Sequence, residues 1–328
     1  MTRISRRPPR GAALLLALLI LVLVATLTAA MVWQQRQAVQ VEAAERARTQ
    51  ANWILAGALD WARLILREDG RVNRQRAQPF DALTEPWATP LAEARLSSFL
   101  AADQANTTET DVEAFISGQI ADAQSRYNLR NLIDGSTGRA HPDELATLER
   151  LCQYAGTPTG TAQRIAEALR LAWMPVDDNE RRLAPLPPTR LAELARQGLE
   201  PALLAQLAPW LDLLPRPTPV NANTASREVL AAVVPGLELG GAERIVQQRQ
   251  RQPFETLDAL RPLLPTQSPA AGTPIGERLS VATAYFEVVG RLRLDERIVE
   301  QRSLLVRQDD AVSVVRSERV NLVEALRR

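Results

Sequence analysis

The chain has 328 residues, 46% hydrophobic and 23% charged, a balance that suits a folded protein of about two domains and excludes a disordered one. Aromatic residues make up only 4%, and Leu and Ala carry most of the apolar content, which favours helices over an all-β sandwich. All 39 basic residues are arginine; four of them (Arg3, Arg6, Arg7, Arg10) fall in the first eleven positions, so the remaining 35 face 38 acids and the body is net −3. An acidic body gives no general reason for nucleic-acid affinity. One cysteine, Cys152, forbids an intrachain disulfide, and one histidine, His141, rules out a multi-histidine metal centre and disfavours a histidine-based triad. No P-loop, nucleophile elbow, dinucleotide fingerprint or HExxH motif occurs, and no catalytic activity is expected.

Residues 11–33 contain no charge, and only Thr26 and Thr28 are polar. About 20 helical residues cross a hydrocarbon core of roughly 30 Å, so this run is long enough to span. The four arginines before it predict a cytoplasmic amino terminus, with everything after Gln34 on the far side. A cleavable secretory signal is the rival reading, but its apolar region is normally about 7–15 residues, and no A-x-A site follows. The pattern does not stop at the membrane face. Val39, Ala43, Ala47, Ala51, Ile54, Leu55, Ala58, Leu59, Ala62 and Ile65 recur at threes and fours, which predicts one helix over residues 12–66, on the order of 80 Å long.

A flexible glycine at Gly11, between the basic leader and the apolar run, suits an extended protease substrate. The stretch Arg10-Gly11-Ala12-Ala13-Leu14-Leu15 resembles the processing site of type IV prepilins and type II secretion pseudopilins. The resemblance implies that a prepilin peptidase cuts between Gly11 and Ala12 and that the new amine is methylated. Most such proteins carry glutamate at the fifth mature position, where this chain has Leu16. In a fibre that carboxylate is held to pair with the amine of the subunit above, so its absence implies a subunit with none above it. One subclass, the general secretion pathway protein K family, lacks this glutamate. Two further segments resemble that family: Glu85-Pro86-Trp87-Ala88, and Asp122-x-Gln124-x-Arg126-Tyr127-Asn128-Leu129.

The texture after Gly70 is loop-like, with Pro79, Pro86 and Pro90. Residues 112–120 read as a strand. Helical spacing then appears at residues 143–154, with Asp143 as N-cap, and at 161–173, 188–196 and 200–207, separated by proline-rich joints. From residue 281 the period changes. Residues 281–294, 297–307 and 311–320 read as three antiparallel strands, turning at Asp295-Glu296 and Asp309-Asp310. The expected fold class is α+β: a pilin-like long amino-terminal helix packed on an antiparallel sheet, with a large inserted all-α domain. The expected boundaries are a leader at 1–11, a transmembrane helix at 12–33, pilin-like helix and first strands at 34–139, the helical insertion at 140–279 and carboxy-terminal strands at 280–328.

Residues 220–260 carry a helix-hairpin-helix pattern, with Thr224 as the expected cap, Pro235-Gly236 as the turn and a second helix at 242–252. Such hairpins can hold a phosphate at a helix start, and a membrane-anchored DNA receptor for DNA uptake combines one anchor with this motif. Against that reading, the five arginines at 227, 244, 249, 251 and 261 are matched by five acids at 228, 238, 243, 255 and 258. No nucleic-acid partner is therefore expected. Asp177-Asp178-Asn179-Glu180 is the densest group of oxygen ligands, and Asp177 and Asp178 are candidate metal ligands. A solvated acidic turn is the other reading; the family resemblance implies a structural calcium. Asp122, Asn128 and Asp134 are further oxygen donors, and Cys152 reads as a buried thiol.

The resemblance implies a structural minor pseudopilin at the tip of the type II secretion pseudopilus, initiating its assembly. The implied location is the cell inner membrane, single-pass, with the soluble part in the periplasm. The implied partners are I-type and J-type minor pseudopilins, the prepilin peptidase and secreted cargo.

Overall fold

The computed structural model describes residues 10–76, 79–96, 114–265, 274–294 and 297–323. Helix α1 runs Arg10–Gln75, and the chain divides within it into two units, residues 1–56 and 57–328. In the first unit the large apolar side chains from Leu14 to Trp33 are all at least half exposed, and by length and composition α1 is the one helix among the described residues able to cross a membrane. The expected leader lies almost wholly outside the described residues. The helix also ends later than its apolar stripe predicts, at Gln75 rather than Leu66. The polar last turns are held by the ion pair Arg71–Glu68 and by contacts of Asp69 and Asn73.

The second unit is built on a five-stranded antiparallel sheet ordered β1-β2-β7-β8-β9. Its strands are β1 (Leu91–Arg95), β2 (Ala114–Asp122), β7 (Tyr285–Leu294), β8 (Arg297–Gln308) and β9 (Ala311–Val323). Strands β7 to β9 form a meander, and β8 and β9 join through Asp309-Asp310, where Asp309 adopts φ 50°. Aspartate tolerates that left-handed backbone, which two-residue hairpins require. The other expected turn, Asp295-Glu296, lies outside the described residues. Between β2 and β7 the chain leaves the sheet for more than 160 residues, yet Asp122 returns opposite Phe286 in register.

That excursion is the helical insertion. It contains α2 (Pro142–Tyr154), α3 (Thr161–Trp173), α4 (Asp178–Leu183), α5 (Pro201–Leu207), α6 (Arg227–Val233), α7 (Leu239–Arg251), α8 (Leu257–Leu260) and α9 (Ile275–Arg278). The expected helix at 188–196 is a 3-10 helix, Leu191–Gln197. Asp143 sits inside the first turn of α2 and not at its cap, because Pro142 already takes the first helical position and leaves His141 outside. Two short parallel pairs lace the insertion: β3 (Tyr127–Asn128) with β4 (Leu211–Asp212), and β5 (Val220–Asn221) with β6 (Leu279–Ser280).

The sheet buries apolar residues on both faces, so neighbours such as Tyr285-Phe286, Val288-Val289 and Leu304-Leu305 are buried together instead of alternating. One face presents Phe286, Val288, Leu305 and Val312 to Leu59, Ala62, Ile65 and Leu66 of α1, with Trp87 in the same cluster. The other presents Tyr285 and Leu304 to Ala123 and Leu214. The largest core lies within the insertion, where Leu148, Leu151, Ile165, Leu169, Leu194, Leu207, Leu230 and Ile245 are fully buried. Trp87 meets Phe286 edge-on at 5.3 Å and 76°, joining the loop before β1 to the sheet. Phe286→Ala is expected to destabilise this unit by about 3–5 kcal/mol, read as a fall in the urea midpoint of the detergent-solubilised chain.

Candidate functional site

No cleft with an assembled nucleophile and base appears among the described residues. The densest concentration of buried polar groups is instead a junction where the 57–75 stretch of α1, the 79–89 loop, the sheet and the helical insertion meet. Asp81 is at its centre and is 1% exposed. One carboxylate oxygen accepts from Arg307 of β8 and from Asn73 Nδ2 at 3.2 Å; the other accepts from the Thr283 amide at 2.7 Å. Its backbone completes the tie, donating to Val281 O at 2.9 Å and accepting from Asn221 Nδ2 at 3.1 Å. Arg307 also donates to Asp69 of α1 at 2.5 Å, and its guanidinium lies 4.8 Å from the Phe286 ring centre. Gly70 allows this approach, since a β-carbon there would come within 3.0 Å of Arg307 Cδ. Glu85 binds beside them, accepting from Arg76 at 2.9 Å and from Trp87 Nε1 and the Ala82 amide, each at 3.0 Å.

Asp122, at the end of β2, connects this cluster to the insertion. One oxygen accepts from the Gln124 amide at 2.7 Å; the other accepts from Asn221 Nδ2 at 2.8 Å and the Thr224 hydroxyl at 2.6 Å. Burial pushes its carboxyl up, and hydrogen bonds from Thr224, Thr283, Asn221 and the Gln124 amide offset part of that. Gln124 reaches Pro219 O and takes the Ala284 amide, at 2.9 and 2.7 Å. Arg126 bridges Asp212 and Glu287 at 2.8 and 2.9 Å. Asn128 donates to Arg216 O and accepts from the Leu214 amide, at 2.7 and 3.0 Å. Alternate residues of the Asp122-x-Gln124-x-Arg126-x-Asn128 run thus fasten strand to insertion. Asp134 stays outside this junction, in a turn where hydrogen bonds from Ser136 hold its carboxyl down at about 2.

The helix-hairpin-helix is α6, a turn at Pro235-Gly236, and α7. Ser226 caps α6 by accepting from the Val229 amide at 3.3 Å. Thr224, the residue expected there, is drawn instead to buried Asp122, where an unsatisfied carboxylate would cost more than an uncapped helix end. The second helix starts three residues earlier than expected, at Leu239, with Gly241 packed so closely that a β-carbon would meet Leu237 at 2.7 Å. Three of its five arginines are committed, while Arg244 and Arg251 are exposed: Arg227 pairs with Glu228 and Glu243 at 2.8 and 3.4 Å, and Arg261 with Asp258 at 2.9 Å. Arg249 is buried and donates to Ala222 O at 2.7 Å; burial lowers it to about 10. With five acids against the five arginines, the motif offers a phosphate backbone no net positive charge.

Residues 220–282, from β5 to just past β6, match the family described as type II secretion system (T2SS), protein K. Over 89% of its length the chain is 28% identical to the type II secretion system protein K of Pseudomonas aeruginosa, covering 87% of that protein. It is 26% identical to the protein of the same name from Pectobacterium carotovorum subsp. carotovorum, over 95% of this chain and 97% of that one. Over nearly its whole length the chain is thus similar to protein K of type II secretion systems. The fold agrees: the crystal structure of the GspK-GspI-GspJ complex from enterotoxigenic Escherichia coli matches with a TM-score of 0.63 at 21% identity, covering 84% of this chain and 98% of that one. The two landmark segments have a physical role, since Glu85, Trp87, Asp122 and Gln124 all lie in the buried junction.

The other expected residues lie apart from this junction. Helix α1 begins at Arg10, so Gly11 and Ala12 are in its first turn, and Leu16 is exposed. Asp177 and Asp178, the candidate metal ligands, lie in an exposed turn. Asp177 caps α4, accepting from the Glu180 amide at 2.7 Å, and Asp178 is an exposed carboxylate paired with Arg181 at 3.3 Å. Glu180 is bound by Arg170 at 3.0 Å, whose hydrogen bond holds its carboxyl low, so arginines already balance this turn. His141 precedes α2 without a side-chain cap bond, and Cys152 is buried, which raises its thiol. Sequence reading missed Asp69, Asp81, Asn221, Thr283 and Arg307, whose partners lie up to 238 residues away.

Two outcomes are expected. Asn221→Ala strips a donor from Asp122 and from Asp81 O and should cost about 2–3 kcal/mol, measured by urea unfolding followed through tryptophan fluorescence. The full chain in detergent should not be retained on duplex DNA in a salt-sensitive manner; tight retention would revive the DNA-receptor reading.

Proposed function

We propose that this chain is a structural minor pseudopilin at the tip of the type II secretion pseudopilus, initiating assembly for export of folded proteins across the outer membrane. The observation that carries this reading is the full-length likeness to protein K relatives on a fold in which a helix-backed sheet bears a bulky helical insertion. A head of that width suits one copy at an end better than a repeat along a thin fibre. Leu16 in place of the glutamate supports the same position, since this subunit brings no carboxylate for an amine above it.

The steps follow from the parts. The apolar stretch of α1 holds the precursor in the inner membrane, and the leader arginines place the head in the periplasm. A prepilin peptidase removes the leader between Gly11 and Ala12. The partners are I-type and J-type minor pseudopilins, consistent with the matching fold coming from a GspK-GspI-GspJ complex. Packing of long apolar helices side by side buries surface that a lone helix exposes to lipid. The role requires no chemistry, and exported cargo is a further partner for the exposed head.

The mature amino terminus tests this. Intact mass of the chain isolated from cells should correspond to a start at a methylated Ala12, and Gly11→Trp should leave the precursor uncut and secretion abolished. A chain that still begins at Met1 while secretion proceeds would overturn the assignment.

A further inference from the structure

The buried junction contains an imbalance that its structural role does not explain. Carboxylate oxygens of Asp69, Asp81 and Glu85 lie within 4.8 Å of one another. The charged groups facing them are two arginines. Arg307, from β8, spans Asp69 and Asp81, and Arg76, just past α1, binds Glu85 and Asn73. The remaining neighbours are neutral: Asn73 from α1, the Thr283 amide and carbonyl before β7, Trp87 from the loop and the Phe286 ring from β7. Arg74 is directed elsewhere, to Asp310 and the Asp309 carbonyl, and Glu68 to Arg71. Fully ionised, the cluster would hold three negative charges against two positive ones in a site where Asp81 is 1% and Glu85 7% exposed. Water does not screen such an excess, so the cheapest remedy is one bound proton.

We propose that Asp69, Asp81 and Glu85 form a proton-sensitive latch, which holds one proton in mildly acid surroundings and seats the last turns of α1 more firmly there than at neutral pH. The groups are placed for it. Asp69 is the member on α1, and its link to Arg307 is the tie between that helix and β8. When the proton leaves, Asp69 becomes a carboxylate facing Asp81 and Glu85 across a shared guanidinium, and repulsion acts on that tie.

Burial and the neighbouring carboxylates raise Asp69 to about 6, against 3.8 for the free group, and burial also raises Asp81. The sign follows. A group raised in the folded state binds its proton more readily there, so its stabilisation is full below the unfolded value and is lost as pH rises through about 6. Between about pH 5 and pH 7.5 the folding constant should drop about tenfold on this account alone. This inference does not depend on the proposed role, because it concerns the stability of the head and not assembly.

The test is urea unfolding of the detergent-solubilised full chain and of Asp69→Asn, at about pH 5 and pH 7.5. The ratio of wild-type to variant folding constants should fall about tenfold from the lower to the higher pH; an unchanged ratio would overturn the latch. If the variant fails to fold, the infrared carbonyl stretch of protonated carboxyl groups in the wild-type chain decides. A band that bleaches with a midpoint near pH 6 supports the latch, and a carboxyl region identical at both pH values sinks it. Mature mass and secretion are read separately, so loss of one conclusion is distinguishable from loss of the other.

Discussion

The head depends on a single guanidinium. Arg307 lies on β8, yet its two ends are held by Asp69 on the long helix and Asp81 on the loop beside it. Removing either carboxylate would leave a buried cation short of a partner, and removing the arginine would leave two acids facing each other. The apolar packing of Leu66 against Phe286 and Leu305 supplies affinity between helix and sheet but little to fix how far the helix slides along it. A guanidinium shared between two carboxylates fixes that position, because it is satisfied at one register only.

The same arrangement recurs one layer further out. Asp122 ends a sheet strand and receives Asn221 and Thr224 from the insertion, while Asn221 also reaches back to the Asp81 carbonyl. Helix, loop, strand and insertion are thus connected through four short polar side chains. Around them lie apolar clusters that exclude water and strengthen each hydrogen bond. Each part of the head is thereby tied to the next by hydrogen bonds of 2.6 to 3.1 Å.

Local pattern carried much of the architecture. The apolar stripe of α1, the 161–173 helix and the β-rich carboxy terminus follow from spacing, turn residues and side-chain branching, all of which act between near neighbours. Strand β1 gives no such signal, since its five residues are partly or fully exposed without alternation. The capping expectations failed where a longer-range demand prevailed: Thr224 was drawn to Asp122, and a proline displaced Asp143 from the cap. The acidic turn at 177–180 reads in the sequence as a bare group of oxygen ligands because Arg170, which binds Glu180, comes from a different helix. The junction itself was invisible, for an aspartate in a loop and an arginine in a strand have no spacing rule across 226 residues.

The pairing of Val220 with Leu279 and of Asn221 with Ser280 closes the hairpin-bearing segment at its neck. The two ends of that loop of some sixty residues leave side by side, while inside it Leu230 and Ile245 share one core with Leu148 and Leu151, and Thr224 binds Asp122. Added or lost length at its surface turns therefore need not shift the sheet. In descent, the outer turns of such a stapled cassette can drift or grow while its core and the scaffold that carries it stay put.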